Sequence, residues 1–343
     1  MRTSLVVPTL LLMLASAGCH AADEPVGATA ALAGPTGAAA TTASATADPH
    51  GPLILFQRDG SRRTHVAWVG RDGSGEEAPL DAFGELNQTN PDWSPDGAQL
   101  VFAMTDGTTD DLFVADAGAP EADKVVDCVA PCLYLDDPAW SPDGTRIVFS
   151  RTVARGQAAV STLETVDLAT GRTRVLLGPW TDRFTAGARW SPRGHQIVFE
   201  LVQKDGPALE ADLLGVTLTV LRLGEHQHPL RRLTDPSLFA ATADWSPDGR
   251  HLVYSALARA TDEAPDLFLV PATGGAPRPL TDLAAAGGYA AEPTFSPDGA
   301  TVVFSGGRTS EEEGLLLEVT LDGREPYLAT GTVEVHGRHP RLH

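Results

Sequence analysis

The sequence is poor in basic residues. It has 25 lysines and arginines against 45 aspartates and glutamates, and its formal net charge is −20. Proteins that bind nucleic acid need clustered positive charge to neutralise phosphates. The composition therefore argues against nucleic acid as a partner, and its ordinary consequence is solubility.

Cysteine is scarce as well, with three residues in the chain. Cys128 and Cys132 are separated by three residues, and no second Cys or His pair at zinc spacing accompanies them. A thioredoxin-type motif would have two residues between its cysteines. In an exported protein we therefore predict a small local disulfide between Cys128 and Cys132 rather than a metal site.

The sequence also lacks the G-x-S-x-G motif that places a serine nucleophile in an α/β-hydrolase. No stretch of ordinary helix length is visible either. A serine peptidase is therefore not predicted.

The most informative stretch is P-D-W-S-P-D-G at residues 91–97, the first of five copies of one pattern. Each copy has an aromatic residue, a Ser-Pro-x-Gly turn and a short apolar run. Proline presets φ in such a turn, and glycine accepts the positive φ at its end. The aromatic residues are spaced 47, 50, 55 and 50 residues apart: Trp93, Trp140, Trp190, Trp245 and Phe295. This period predicts a solenoid, a propeller or an array.

Each repeat continues with a third strand, such as 266–270, and an outer strand that ends near a segment such as Leu280-Thr281-Asp282. Four short antiparallel strands per repeat describe a propeller blade. At the N-terminus, Leu53–Phe56 matches a second strand without its first. At the C-terminus, 338–342 matches a first strand, with Leu342 in the place of the aromatic residue. We therefore predict an all-β, six-bladed β-propeller of four-stranded antiparallel blades, closed by the two ends sharing one blade.

The aromatic residues and the turn aspartates are interpreted as architecture. At the blade period, the aromatics are expected to pack between neighbouring blades rather than to form a binding array. Four aspartates occupy the same turn position on separate blades, which favours a turn role over a calcium set: Asp96, Asp143, Asp248 and Asp298. Arg193 replaces the aspartate in one copy, which suggests a weakly constrained position.

The first residues predict an export signal. Arg2 and the apolar run 5–17 form a leader that is short for a membrane span. It ends Ser16-Ala17-Gly18-Cys19, which resembles a bacterial lipobox, although that pattern prefers leucine where Ser16 stands. The resemblance implies lipidation at Cys19; the alternative is an ordinary signal peptide. We therefore expect residues 1–19 to be a lipoprotein signal peptide, and removing them would leave a net charge of −21.

Residues 20–50 are rich in Ala, Thr, Gly and Pro and have few large apolar groups. Such a segment buries too little surface to order itself, and we expect a flexible tether between the lipid and the folded part. Ala21 is not the aspartate that retains lipoproteins at the inner membrane. We expect the periplasmic face or surface of the outer membrane, if the cell has one.

Residues 51–343 resemble the six-bladed propeller of the TolB family, on the strength of the five WSPDG-type repeats. No G-H…W-D pair is present, so the WD-repeat family fits less well. TolB carries an α/β domain before its propeller, which this chain lacks, so the chain is not expected to be TolB itself. Propellers of prolyl-oligopeptidase relatives precede a hydrolase domain, for which no residues remain.

Function is expected where the repeats differ. The position three residues before each aromatic varies and should ring one mouth of the channel: Asn90, Asp137, Gly187, Thr242, Glu292 and His339. Further polar residues lie beside them: Asp136, Arg183, Tyr289, His336 and Arg338. These residues are either a solvated rim or a site for a hard cation such as calcium or manganese.

Two functions remain from this reasoning. The first is a monomeric, non-catalytic module that binds an envelope protein or polysaccharide and touches the membrane through its lipid anchor only. The second is a metal-dependent carbohydrate-active or lactone-hydrolysing enzyme with its site at the channel mouth.

Overall fold

The computed structural model describes residues 53–343 except for 61–62, 81–82, 84–85, 106–108, 120, 209–210, 212, 225–228, 310–313, 324 and 332. The leader, Cys19 and the tether lie outside the described residues. Within the described residues the chain is almost entirely β-structure. Its named helices are two short 3-10 turns, Pro236–Leu238 and Ala284–Ala286. No helix in this part of the chain is long and apolar enough to span a membrane.

The strands form six antiparallel sheets, which are the blades of the predicted propeller. Blade 1 consists of β3 (Asn87–Trp93), β4 (Gln99–Thr105), β5 (Asp110–Asp116) and β6 (Ala122–Val126). Blade 2 consists of β7 (Cys132–Trp140), β8 (Arg146–Arg155), β9 (Ala158–Asp167) and β10 (Arg172–Trp180). Blade 3 consists of β11 (Arg183–Trp190), β12 (Gln196–Lys204), β13 (Leu213–Arg222) and β14 (Leu230–Arg232).

The remaining blades follow the same plan. Blade 4 consists of β15 (Ala241–Trp245), β16 (His251–Ala256), β17 (Asp266–Pro271) and β18 (Arg278–Pro279). Blade 5 consists of β19 (Tyr289–Phe295), β20 (Thr301–Gly307), β21 (Leu315–Thr320) and β22 (Tyr327–Leu328). The first strand of each blade contacts the first strand of the next, so these strands enclose a central channel.

Blade 6 joins the two ends of the chain, as predicted. It contains β1 (Leu53–Asp59), β2 (Thr64–Gly70) and the C-terminal β23 (Arg338–Leu342), in the order β2-β1-β23. A fourth strand is reduced to one bridge, in which Trp68 and Glu77 exchange backbone hydrogen bonds of 2.9 and 3.0 Å. The C-terminal strand thus covers an edge that β1 would otherwise expose.

The repeated aromatic residues pack between blades, as predicted. Trp140 lies in one apolar cluster with Val101 and Ala103 of the preceding blade, and Phe295 lies in one with Val253 and Leu267. All five are buried: Trp93, Trp140, Trp190, Trp245 and Phe295. Burial of such large rings is a main source of stability, and here it fixes each blade to its neighbour.

Each turn aspartate stabilises its own turn by accepting hydrogen bonds within it. Oδ1 of Asp96 accepts hydrogen bonds from Ser94 Oγ at 2.6 Å and from the Ala98 backbone N–H at 3.1 Å. These two bonds hold the pKa of Asp96 below its ordinary value. Corresponding bonds recur in the turns of Asp143, Asp248 and Asp298.

Successive Ser-Pro-x-Gly turns touch one another around one face of the propeller. A Cβ added to Gly299 would lie 3.3 Å from Pro247 of the preceding turn, and one added to Gly249 would lie 3.7 Å from Pro192. At Gly97 the preceding blade ends with the chain, and the imidazole of His343 occupies the place of the missing proline. The small glycine therefore lets each turn dock against the one before it.

Cys128 and Cys132 form a disulfide in the connection between blades 1 and 2. Both cysteines are buried. The bond closes a short loop, so its contribution to stability through chain entropy is modest.

Candidate functional site

The six positions singled out by the repeat alignment share one backbone conformation. Asn90, Asp137, Thr242, Glu292 and His339 all have φ between 50° and 55°, and Gly187 has φ 57°. A left-handed φ is uncommon for residues other than glycine. At each position the pairing register between the first and second strands of the blade shifts, which marks a β-bulge.

Hydrogen bonds connect these bulges across every interface between neighbouring blades. At five of the six interfaces, a side-chain oxygen of one blade accepts a hydrogen bond from the backbone N–H of the bulge residue in the next blade. The donors and acceptors are Asn90 N–H to Gln57 Oε1 (3.2 Å), Gly187 N–H to Asp137 Oδ2 (2.7 Å), Thr242 N–H to Glu200 Oε1 (2.7 Å), Glu292 N–H to Thr242 Oγ1 (3.2 Å) and His339 N–H to Glu292 Oε2 (2.8 Å). At the sixth interface the Asn90 amide donates to Asp136 Oδ1, which also accepts the Asp137 N–H at 2.9 Å. We call this closed set the bulge belt.

In blade 3 the hydrogen-bond acceptor for the next blade comes from the second strand, β12, instead of from the bulge residue on the first strand, β11. Gly187 has no side chain to offer the next blade, and Glu200 on β12 supplies the carboxylate instead. A Cβ on Gly187 would lie 2.4 Å from Glu200 Oε1, so the glycine makes the room that the glutamate fills. In blade 6 the bulge residue is His339, and Gln57 on the second strand, β1, likewise supplies the acceptor for the next blade.

A second layer beside the bulge belt is formed by the residue before the aromatic position of the first strand, which is charged in four of the six blades. Asp92 Oδ2 accepts the backbone N–H of Trp140 at 2.9 Å, and Asp244 Oδ2 accepts that of Phe295 at 2.8 Å. Two arginines occupy the same position in other blades. Arg341 Nε lies 3.6 Å from Asp92 Oδ1, and Arg189 interacts electrostatically with both Asp92 and Asp244.

This charged layer faces the channel. Asp92 and Arg189 belong to blades 1 and 3, which are not neighbours, so their interaction crosses the enclosed space. Three polar atoms of the two layers are buried and have no hydrogen-bond partner among the described residues: Arg189 Nε, Arg341 Nε and Glu200 Oε2. Buried polar groups without partners carry a desolvation cost, which the fold bears at these three atoms.

Burial shifts the titration of the channel carboxyls. Desolvation raises the pKa of Asp92 to about 6, and the positive charge of Arg189 opposes this. Desolvation, with the negative charge of Asp137 next, raises the pKa of Glu200 to about 8. The same two causes hold the pKa of Asp136 well above its ordinary value. At neutral pH the Glu200 carboxyl is therefore mostly protonated and can donate a hydrogen bond.

The other predicted site residues lie near the belt but are engaged in pairs. Arg338 Nη2 lies 2.6 Å from Asp59 Oδ2, and His339 Nε2 lies 3.3 Å from Glu292 Oε1. Arg183 begins β11, pairs with Asp182 and lies over the ring of Trp180. His336 makes an isolated β-bridge with Leu315, and the Tyr289 hydroxyl accepts the Gly314 N–H at 2.7 Å.

The residues considered for calcium or manganese do not form a ligand set in the part of the chain that the structure describes. No three His, Cys, Asp or Glu side chains come together there in a way that could hold a metal ion. The oxygens of Asp137 and Glu292 already accept backbone N–H groups of the bulge belt.

Sequence reasoning missed the second-strand and charged-layer residues. Gln57 and Glu200 directly follow the aromatic residue of the second strand, where other blades have alanine or serine. Asp92, Arg189 and Asp244 directly precede the aromatic of the first strand, and Arg341 precedes Leu342 at the same position. These residues could have been found in the sequence, because large polar side chains stand at two fixed positions of the repeat. That pattern is as visible as the variation at the bulge positions.

These features define the class of protein: a six-bladed β-propeller, closed by its two termini, with polar and charged layers around its channel. No protein-family model matches the sequence, and no curated protein matches it. Solved structures share the fold. TolB from Acinetobacter baumannii is 20% identical, with a TM-score of 0.61 over 85% of this chain and 66% of that one.

Two further structures have the same architecture. A putative TolB from Agrobacterium tumefaciens is 19% identical, with a TM-score of 0.58 over 83% of this chain and 89% of that one. An oligogalacturonate lyase in complex with manganese is 16% identical, with a TM-score of 0.53 over 80% of this chain and 73% of that one. The propeller is thus TolB-like in fold, and at these identities the likeness is one of fold alone.

Because Glu200 supplies the acceptor that Gly187 cannot, we predict that substitutions at these two positions compensate each other. Gly187→Asp alone should destabilise the fold by at least about 2 kcal/mol, because the new side chain collides with Glu200. Glu200→Ser alone should cost about 1–3 kcal/mol, because the Thr242 N–H loses its buried acceptor.

The double variant reproduces the Asp137 and Ser150 pair of blade 2, and the new aspartate can accept the Thr242 N–H. Chemical denaturation of all four proteins should therefore show a favourable coupling of about 1–3 kcal/mol. If the losses in the free energy of unfolding of the two single variants simply add in the double variant, Glu200 does not replace the side chain that is missing at Gly187.

The raised pKa of Glu200 predicts that stability falls as pH rises. Between pH 4.5 and 8 the folded state holds a proton at Glu200 that the unfolded state has released. The free energy of unfolding should therefore decrease with pH in this window, by at most about 1.4 kcal/mol per pH unit for one proton. Glu200→Gln keeps the acceptor for Thr242 and should flatten the slope in denaturation curves taken from pH 5 to 8. The same change at the exposed Glu121 should leave the slope as it is.

Proposed function

We propose that the chain is an exported, lipid-anchored propeller of the cell envelope that binds another protein or a polysaccharide and catalyses no reaction. The observation that carries this proposal is the channel lining. A layer of charged side chains lies on the first strands, which enclose the channel: Asp92, Arg189, Asp244 and Arg341. Asp92 and Arg341 are partly exposed, at 16% and 12% of their side chains. Such side chains provide donors and acceptors for an extended segment that enters the channel.

The charges of the channel favour binding over chemistry. Asp92, Arg189, Asp244 and Arg341 alternate in sign around one layer, so they offer complementary contacts to a polar chain of either charge. Groups that act as acid, base or nucleophile need a partner within hydrogen-bond reach. Glu200 has a raised pKa, but its Oε1 is used for the Thr242 N–H and so serves the scaffold.

The N-terminal sequence supports the proposed location and domain plan. A leader at 1–19, a tether at 20–50 and a propeller from 51 to the C-terminus are the parts that a tethered envelope protein requires. The lipid on Cys19 would be its only membrane contact, and the acidic surface suits a monomer that does not bind nucleic acid. The TolB-like fold is in keeping with this assignment.

The channel proposal is tested by site-specific photo-crosslinking in the envelope. A photoreactive residue in place of Arg183, at the start of the first strand of blade 3, should capture a discrete envelope component. Excess unmodified chain should suppress this product, because the interaction saturates. The same residue in place of Val175, which is half exposed on the outer strand of blade 2, is the control. Identical products at both positions, or none at Arg183, would overturn the proposal.

The anchor makes a separate prediction. Cys19→Ala should move the protein from the membrane to the soluble fraction of the envelope, because no other lipid attachment is proposed. Fractionation followed by immunoblotting measures this. A variant that stays membrane-bound to the same extent would show that Cys19 is not the point of attachment.

A further inference from the structure

The groove between the first turns of blades 3 and 4 differs in charge from its counterpart between blades 1 and 2. Both grooves lie between successive Ser-Pro-x-Gly turns, and their volumes are about 380 and 220 Å³. Because the blades repeat, their residues can be matched one to one. We call the first the basic groove; it is lined by Arg193, His195, Arg222, Asp248 and Arg250, among others.

Three matched positions change from acidic or neutral to cationic, and a fourth changes from alanine to histidine. Arg193 stands where the other groove has Asp96, His195 where it has Ala98, and Arg250 where it has Thr145. Arg222 pairs with Gln196 across two strands as Asp116 pairs with Gln99. Of the matched residues, only Asp248 keeps the acidic identity of its counterpart, Asp143. In the basic groove three arginines thus outnumber one aspartate, on a chain whose net charge is −20.

Arg193 stands where the other four turns have an aspartate, and this replacement removes hydrogen bonds within the turn. A guanidinium has no acceptor, so Ser191 Oγ and the backbone N–H two residues after Arg193 lose the carboxylate that the other four turns provide. The weakly constrained turn position inferred from sequence is therefore better described as a position that gives up two local hydrogen bonds for a positive charge.

Positive charge is crowded in this region. Arg231, on β14 of the same blade, has a pKa below its ordinary value because of burial, and the positive charge of Arg222 adds to the effect. The ion pair between Arg250 and Asp248 is long, with 3.8 Å between Nε and Oδ2, and both side chains are more than half exposed. Asp248 therefore neutralises Arg250 only in part, and its Oδ1 is already used by Ser246 Oγ and the Arg250 N–H.

We propose that the basic groove binds an oxyanion carried by a saccharide-sized unit. Arginine forks match the geometry of phosphate and carboxylate oxygens, and the groove has the volume of a small-ligand site. The remaining oxygen of Asp248 accepts a hydroxyl hydrogen of the unit that carries the anion. The site lies on the turn face and is independent of the channel proposed above.

The matched grooves supply variants that preserve the fold. Arg193→Asp restores the turn sequence of the other four blades, so it should fold at least as stably as the wild type. Arg250→Thr introduces the residue of blade 2. Arg174→Asp, on the exposed outer strand of blade 2, makes the same charge change as Arg193→Asp away from the groove and is the matched control.

The test is calorimetric titration of the full chain with glucose 6-phosphate, glucuronate and neutral glucose at low salt. We expect saturable binding of one or both anions and none of glucose. The affinity should fall about tenfold or more in Arg193→Asp and in Arg250→Thr, and stay within about twofold in Arg174→Asp. Binding of the phosphate alone would identify a phosphorylated unit, and binding of glucuronate alone a carboxylated one.

Three results would overturn the proposal: no saturable binding of either anion, equal binding of glucose, or unchanged affinity in a correctly folded Arg193→Asp protein. None of them bears on the channel, because the crosslinking experiment at Arg183 uses a different surface. The failure of either proposal can thus be told from the failure of the other.

Discussion

The structure depends on the bulge belt, in which hydrogen bonds at the bulges connect each blade to its neighbour. A left-handed bulge at the same point of every first strand frees an N–H from the strand ladder. A buried N–H must find an acceptor, and at five of the six interfaces that acceptor is a side chain of the preceding blade. The six blades are therefore joined by hydrogen bonds near the channel as well as by aromatic packing farther out. The chemistry of the bulge residue is free to vary as long as one oxygen is supplied.

That freedom explains the variety of the belt. Amide, carboxylate and hydroxyl oxygens all serve as acceptors, and in blade 3 the acceptor has moved to the second strand, because the bulge residue is Gly187. What looked like a functional mouth in the repeat alignment is first of all a joint between blades. The charged layer beside this joint is the part of the channel to which the proposed binding role is assigned: Asp92, Arg189, Asp244 and Arg341.

Internal repetition also shows which departures from the pattern matter. Five turns share one geometry, so a change of residue in one of them can be compared with four unchanged copies in the same molecule. By this comparison Arg193 is unusual, since it gives up hydrogen bonds that the aspartates of the other turns make. The neighbouring changes at Arg222 and Arg250 have the same sign of charge, which a single chance replacement would not produce.

The sequence by itself determined the fold class, the number of blades, the shared closing blade and the packing role of the aromatics, because each follows from a pattern with a fixed period. It also located the six bulge positions, although not their conformation. Tertiary structure decided the rest. The fourth strand of blade 6 shrinks to the bridge at Glu77, the Gly187 gap is filled by Glu200, and Arg193 meets Arg250 across a groove. Each of these outcomes depends on contacts between residues of different strands or blades, and such contacts are set by the closure of the ring rather than by any local pattern of residues.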